Sequence, residues 1–328
     1  MRAVKTEPPG GLERTKLVEL DPESPRDGEV VVAIHAAALN PADRFLIDGQ
    51  YPTGPRPPFI PGRDAAGVVV RSDSANRLAV GTRVLTLQSS ATDLVRGTLC
   101  EQQCFPVESL APIPDGWSDA EAAAGPLVFQ TAWQCLTDPR RPAAGESVVV
   151  TGAGGGVGAA AVQLAVGLGA NVVALTRSTE KGEKLRELGA KGVFPPDDPD
   201  LKKHVFEALG GRGADVVVET VGGPLLGTAV HLLAAHGRVG AIGVLAGVEA
   251  TIPIPSLMFK RGSIHGVLVS DVSPETAQAQ WKEIIAVLKN GKSKDRPIVD
   301  SVFPLEKFAQ AFERLAGSPF GKVVVQIG

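Results

Sequence analysis

The sequence predicts an α/β protein in which a six-stranded, doubly wound parallel sheet is joined to a β-rich domain. Three features point there. A glycine-rich turn over residues 152–158 lies between an apolar run and a run of small residues. Strand-like and helix-like segments alternate from Ser147 to about Val269. Prolines punctuate short strands and loops ahead of Gly125. Alternation of this kind builds a parallel sheet covered by helices, because each parallel return needs a long crossover.

Taken in order, residues 29–38 read as a strand. Pro8-Pro9, residues 52–61 and Pro112-Ile113-Pro114 break the surrounding segment into short pieces, as in a β-rich domain. Val148-Val149-Val150 is a short apolar run of the kind buried on both faces of a parallel sheet. The small residues Ala159-Ala160-Ala161-Val162-Gln163-Leu164-Ala165 then read as a helix packed close to it. Residues 171–175 form a second β-branched run, and Val193-Phe194 a short third strand. Val216-Val217-Val218-Glu219 is the fourth. A helix is expected over 225–235, a fifth strand over 238–243 and a sixth over 263–269. Two helix patterns follow, 275–289 and 305–315, before a last strand over 322–327. That tail is expected to return to the first domain. The β-rich domain is then 1–124 with 270–328, and the doubly wound domain is 125–269.

Composition bounds the function. The chain has 328 residues, which suits two domains rather than one. A net charge of −3 shows no basic excess for nucleic acid. The start, Met1-Arg2-Ala3-Val4-Lys5, lacks the apolar stretch of a signal peptide, and no apolar run is long enough to span a bilayer. Three cysteines without framework spacing point to a reducing compartment, hence the cytoplasm.

Strand, glycine turn and helix start together form a cradle for a pyrophosphate. Glycines let the backbone approach the phosphates, while unpaired N–H groups and the helix dipole favour negative charge. At the three positions of the G-x-G-x-x-G spacing the chain has Ala153, Gly155 and Gly158, so alanine replaces the first glycine; Gly156 and Val157 complete the turn. In dinucleotide sites an acid about 20 residues further on usually holds the ribose 2′-hydroxyl. This chain has Arg177 there, followed by Lys181. Both are either solvated side chains at a helix start or the contacts of a 2′-phosphate, which an arginine fork binds in bidentate fashion. The second reading predicts NADPH in preference to NADH. Val221, Ile242, Gly243 and Val244 follow the fourth and fifth strands, where ligands bind in open α/β sheets.

The segments Ala37-Ala38-Leu39-Asn40-Pro41-Ala42-Asp43 and Pro61-Gly62-Arg63-Asp64-Ala65-Ala66-Gly67 carry a wider pattern. So do Thr131-Ala132-Trp133, the glycine turn, Leu188-Gly189-Ala190 and Phe320-Gly321-Lys322-Val323-Val324. Over essentially its whole length the chain resembles the medium-chain dehydrogenases/reductases, most of all their zinc-free quinone oxidoreductase branch. The resemblance implies a GroES-like catalytic domain split around a Rossmann domain, with the nicotinamide in the cleft between them. It also implies a homodimer through the edge strand over residues 263–269. Zinc relatives have an early cysteine and a Gly-His-Glu; the matching positions here are Asn40 and Gly62-Arg63-Asp64. Asparagine is a poor zinc ligand and arginine is a cation, so no metal site is expected. Cys100 and Cys104 match a plain strand of the relatives.

Several site residues follow from the resemblance alone. Asn40 and Tyr51, the only tyrosine, match catalytic-site residues of the branch; Tyr51 is otherwise a loop aromatic ahead of Pro52. Phe45 and Ile47 replace a second tyrosine and an arginine, which makes the site more apolar. Thr131 matches a residue near the nicotinamide. Lys322 is either a cofactor contact or a solvated C-terminal lysine. Pro195-Pro196 departs from the relatives on the adenine side. The expected activity is hydride transfer from NADPH to a quinone or an activated C=C bond (an enone). Reduction of enoyl thioesters or carbonyls is the rival within enzymes. A non-enzymatic NADPH-binding structural or interaction protein is the rival outside them.

Overall fold

Long β-branched runs and their crossovers set the architecture of this computed structural model, which describes residues 1–51, 54–72, 78–291 and 293–328. Two units form. One comprises Met1–Leu127, Ser270–Trp281 and Arg296–Gly328; the other comprises Val128–Val269 and Lys282–Asp295. The tail expected to return from residue 270 is therefore interrupted. Lys282–Asp295 groups with the second unit, where Val287 lies against Gly167 and the Gln163 side-chain amide donates to the Lys294 carbonyl at 2.9 Å.

In chain order the first unit begins with β1 (Arg2–Thr6), β2 (Thr15–Glu19), β3 (Glu29–Ala38), α1 (Pro41–Ile47), β4 (Asp64–Arg71), β5 (Arg83–Thr86), β6 (Gln102–Pro106), β7 (Leu110–Pro112) and α2 (Asp119–Ala124). Next come α3 (Pro126–Thr137), β8 (Ser147–Val150), α4 (Gly156–Gly167), β9 (Asn171–Leu175), α5 (Thr179–Glu187), β10 (Gly192–Phe194), α6 (Leu201–Ala208) and β11 (Ala214–Glu219). The chain continues through α7 (Pro224–Leu232), β12 (Leu233–Ala241), α8 (Ile254–Phe259), β13 (Ser263–Gly266) and α9 (Pro274–Asn290). It closes with β14 (Val299–Pro304), α10 (Phe308–Ala316) and β15 (Lys322–Gln326).

In the first unit, β14-β15-β3-β4-β5-β7 form one sheet, and β6 pairs with β3. β1 and β2 form a separate hairpin pair. Val30, Val32 and Ile34 of β3 pack with Phe59, Leu99, Phe308, Phe312, Val323 and Val325 in one core. The expected return of the last strand is thus present, with β15 antiparallel to β3. Two helices interrupt what read as a β-rich segment. Pro41 occupies the first turn of α1, and the Asn40 amide donates to the Asp43 carboxylate at 2.8 Å, which fixes the helix start. Ser118 caps α2 by accepting from the Glu121 amide. Pro52, in the expected loop over 52–61, lies outside the described residues.

The second unit holds a parallel six-stranded sheet in the order β10-β9-β8-β11-β12-β13. Val148, Val149, Val150, Val216, Val217 and Val218 are fully buried, as strands covered on both faces require. The order in which successive strands are added reverses between β8 and β11, the switch point where such folds bind ligands. Several boundaries differ from expectation, most of all those of the fifth and sixth strands. α7 ends at Leu232, and Leu233 already pairs with Ala214, so the fifth strand starts earlier. The sixth strand stops at Gly266 rather than at 269.

Candidate functional site

Sheet register in the first unit brings three distant residues together. Ala38 pairs with both Asp64 and Val324, and the Leu39 amide donates to the Val323 carbonyl at 2.9 Å. Asn40 follows β3 and Lys322 opens β15, so both side chains reach Asp64. The Lys322 ammonium donates to Asn40 Oδ1 at 2.5 Å and to Asp64 Oδ2 at 3.1 Å. Asn40 Nδ2 donates to the same carboxylate oxygen at 3.0 Å. Asp64 Oδ1 accepts from the Leu127 amide at 3.1 Å and from the Gln88 side chain at 3.5 Å. Lys322 is 3% exposed and Asp64 0%. Burying a charge costs several kcal/mol unless it is both paired and hydrogen bonded. This pair meets both conditions.

The network bears on two expectations. Asn40 spends its carbonyl on Lys322 and its amide on Asp64, and it also fixes the start of α1. In the structure these groups of Asn40 are engaged within the first unit. Lys322 is buried and its ammonium pairs with Asp64 inside the first unit, so the alternative of a solvated C-terminal lysine does not hold. Neither contact of Lys322 was legible locally, because the partners are 258 and 282 residues apart in sequence. Asp43 lies beside this network. Burial pushes its carboxyl up to about 6, against the opposing pull of Arg63 and of the Asn40 amide.

Tyr51 is partly buried and packs against the core of the first unit. The Arg63 guanidinium lies over its ring, with Cζ 4.9 Å from the centroid, within cation–π range. Phe45 is partly buried and Ile47 fully so. Cys100 and Cys104 are buried free thiols. Burial pushes Cys100 up to about 12 and raises Cys104 as well, so both stay protonated at neutral pH. Among the described residues, no cluster of three or more His, Cys, Asp or Glu is placed to hold a metal ion.

In the second unit the glycine turn leads directly into α4. Gly155 caps α4, leaving Gly156, Val157 and Gly158 in its first turn, where backbone N–H groups lack helical partners. A methyl on Gly155 would touch only the Gly152 carbonyl, at 3.4 Å, so it would occupy the open side of the turn. On Gly158 it would meet the Gly152 carbonyl at 2.3 Å and Ala153 Cα at 2.6 Å. Gly158 therefore lets the helix pack against the turn, while Ala153, fully buried, fits without a glycine. Lys181 lays its stem over Gly154; a methyl there would lie 2.6 Å from its Cδ. Arg177 is exposed between β9 and α5.

Glu219 is a site-forming residue that sequence reading passed over. Its buried carboxylate accepts from Thr151 Oγ1 at 3.1 Å, from the Val221 amide at 2.9 Å and from the Gly222 amide at 2.9 and 3.0 Å. Thr220 is tied to Thr151 in turn, its amide donating at 2.9 Å and its hydroxyl at 2.7 Å. The carboxylate thus clamps the ends of β8 and β11 and sets the loop carrying Val221. The signal was a lone acid ending an apolar strand. Ile242 and Gly243 donate to the Glu219 carbonyl at 3.0 and 3.3 Å, and Val244 is exposed just beyond. Thr131 is buried, and its hydroxyl has no partner among the described residues. An open glycine turn and an unpaired hydroxyl suit a dinucleotide with a carboxamide ring.

A parallel sheet with a glycine turn at its switch point, joined to a GroES-like unit, defines a two-domain, nicotinamide-dependent oxidoreductase. Residues 26–115 match the alcohol dehydrogenase GroES-like domain family, and residues 156–290 match the zinc-binding dehydrogenase family. Human quinone oxidoreductase is 31% identical over 96% of the chain and 94% of its own length. A solved NAD-dependent alcohol dehydrogenase is 32% identical with a TM-score of 0.90, covering all of both chains. The quinone oxidoreductase of Thermus thermophilus, solved also as an NADPH complex, is 32% identical with a TM-score of 0.80, covering 99% of this chain and 100% of that one. The chain belongs to the quinone oxidoreductases of the medium-chain dehydrogenase/reductase superfamily. No helix among the described residues is long and apolar enough to cross a membrane.

Removing the Lys322 ammonium leaves Asp64 charged, buried and short of a partner. Breaking such a pair costs about 3–5 kcal/mol. Lys322→Met is expected to lose stability on that scale in urea unfolding, and Asp64→Asn in the same chain to restore part of it. Additive losses in the double variant would show that the two charges do not depend on each other.

Proposed function

We propose that this oxidoreductase uses NADPH to reduce a quinone or an activated C=C bond and does so without zinc. The observation that carries the reading is the Lys322 ammonium held between Asn40 and Asp64. Positions that match the zinc relatives' metal motifs already enclose a cation supplied by the protein. A second cation there would meet like charge from Lys322 and from Arg63. The acceptor oxygen must then be polarised by hydrogen bonds.

When bound, the reduced cofactor supplies the hydride. The chain's own residues supply position and charge. The first turn of α4 receives the pyrophosphate, and Glu219 holds the loop with Val221. Thr131 offers its hydroxyl to the nicotinamide. Tyr51 donates to the acceptor oxygen as negative charge develops, and Asn40 holds α1 in place. Arg177 and Lys181 favour the 2′-phosphate, because no acid stands at the position that would reject it. The NADPH complex of the Thermus relative supports this choice, while the name of the NAD-dependent relative favours the other cofactor. Strand β13 forms a sheet edge, and Ile254, Met258, Phe259 and Leu268 are exposed on its flanking segments. A second copy covering that edge is the proposed assembly, in the cytoplasm.

Three measurements test this reading. Metal analysis of the purified protein is expected to find no stoichiometric zinc, and a chelator is expected to leave activity unchanged. Chelator-sensitive activity with one zinc per chain would overturn the metal-free assignment.

Arg177→Ala is expected to weaken NADPH about 10- to 150-fold and to leave NADH nearly unchanged. That range corresponds to about 1.5–3 kcal/mol for hydrogen bonds to a charged group, at 1.4 kcal/mol per factor of ten. Titration of both cofactors decides, and equal losses would move the phosphate contact elsewhere.

Tyr51→Phe keeps the ring and removes only the donor. A well-placed oxyanion donor contributes about 10²–10³ in rate. Quinones accept hydride readily, so kcat is expected to fall at the low end of that range for enones and by less for quinones. NADPH affinity is expected to stay unchanged. Wild-type kcat with every acceptor would make Tyr51 a packing residue.

A further inference from the structure

Among the described residues, Arg63 is a buried cation, 5% exposed, to which the first unit gives no contact ion pair and no side-chain hydrogen bond. Nε and Nη2 are fully covered and lack partners. Nη1 is neither paired nor fully covered, so it is the accessible corner of the guanidinium. Its Cζ sits over the Tyr51 ring, a cation–π contact that supplies no formal negative charge.

Asp43 is the obvious internal counter-ion, and the geometry does not use it so. Asp43 Oδ1 is itself buried without a partner, and its Oδ2 accepts from the Asn40 amide. Burial raises its carboxyl, and the attraction of Arg63 offsets that rise only in part. Two opposite charges that approach without meeting are a poor structural pair. Lys322 next door shows how this fold satisfies a structural cation: two partners, one of them a carboxylate. Arg63 has neither. A guanidinium that is buried, set over an aromatic ring and short of acceptors is prepared for an anionic oxygen from outside the chain.

We propose that Arg63 selects acceptors that carry a carboxylate or similar oxyanion beside the conjugated carbonyl, with Nη1 donating to that fixed anion next to Tyr51. The proposal rests on the reductase reading for its choice of acceptor, but the anion site itself does not. In this role Arg63 determines specificity. Its charge acts on binding of the acceptor, so it should appear in KM more than in kcat.

The test pairs an anion with a neutral mimic of the same shape. Naphthalene-2-sulfonate and naphthalene-2-sulfonamide are titrated into the intact protein by calorimetry without cofactor. The sulfonate is expected to bind about 10- to 100-fold more tightly, the scale of a hydrogen bond to a charged group. Arg63→Gln is expected to abolish that preference and Arg63→Lys to keep part of it, with NADPH affinity unchanged in both. In turnover, 1,4-naphthoquinone-2-sulfonate is expected to show a KM lower than that of 1,4-naphthoquinone by a similar factor. Equal binding of sulfonate and sulfonamide to the unaltered protein would overturn the site, and that result needs no variant to fold. A preference that survives Arg63→Gln would overturn the assignment to Arg63. Anion binding lost in Arg63→Gln, with no conjugated carbonyl turned over by the unaltered protein, would support the site and overturn the reductase reading instead.

Discussion

An ammonium as buried as that of Lys322 is stable only with a carboxylate beside it, and the carboxylate of Asp64 is stable only with the ammonium. The first unit is arranged around this mutual need. β3, β4 and β15 must keep their register, because a slip of one residue would turn Lys322 or Asp64 to the opposite face. Asn40 accepts from the ammonium and donates to the carboxylate, so it orients both. Its own backbone amide is held by Asp43, which places α1. The chain between α1 and β4 starts from this fixed point, and that chain carries Tyr51.

The second unit solves an analogous problem with one charge instead of two. Glu219 ends a strand whose other residues are apolar, and its carboxylate takes four hydrogen bonds from Thr151, Val221 and Gly222. Three of these come from backbone amides that a loop at a strand end would otherwise leave unpaired. The same contacts join the ends of β8 and β11, where the strand order reverses. The turn adds its own tie, with the Ala153 amide donating to the Leu175 carbonyl of β9 at 3.1 Å.

Much of the second unit was legible in the sequence. Buried parallel strands appear as uninterrupted Val runs, and glycines at fixed offsets mark a turn followed by a helix. What was misjudged there lies at edges: Leu233 is apolar enough to end a helix or to begin a strand, and pairing with Ala214 decided for the strand. The first unit was harder. α1 hides behind Asn40-Pro41, which reads equally as a turn or as a capped helix start. α2 is only six residues long. The polar network was illegible for a different reason. Local sequence shows that Lys322 follows a glycine near the C-terminus, and nothing nearby shows that a strand register brings Asp64 to it.

Arg63 and Lys322 are neighbours in this fold with opposite fates, and the difference is physical. Both are cations removed from water. Lys322 is a compact ammonium whose donors can be met by a carboxylate and an amide drawn from adjacent strands. Arg63 presents a planar fork that lies over the Tyr51 ring and leaves two buried donors, Nε and Nη2, without hydrogen-bond partners. The satisfied cation contributes stability and shape. The unsatisfied one contributes an electrostatic demand at a defined place, which is the property a binding site needs and a core does not. The positive charge of this unit is therefore divided between a residue that holds the fold and a residue that is left to hold a ligand.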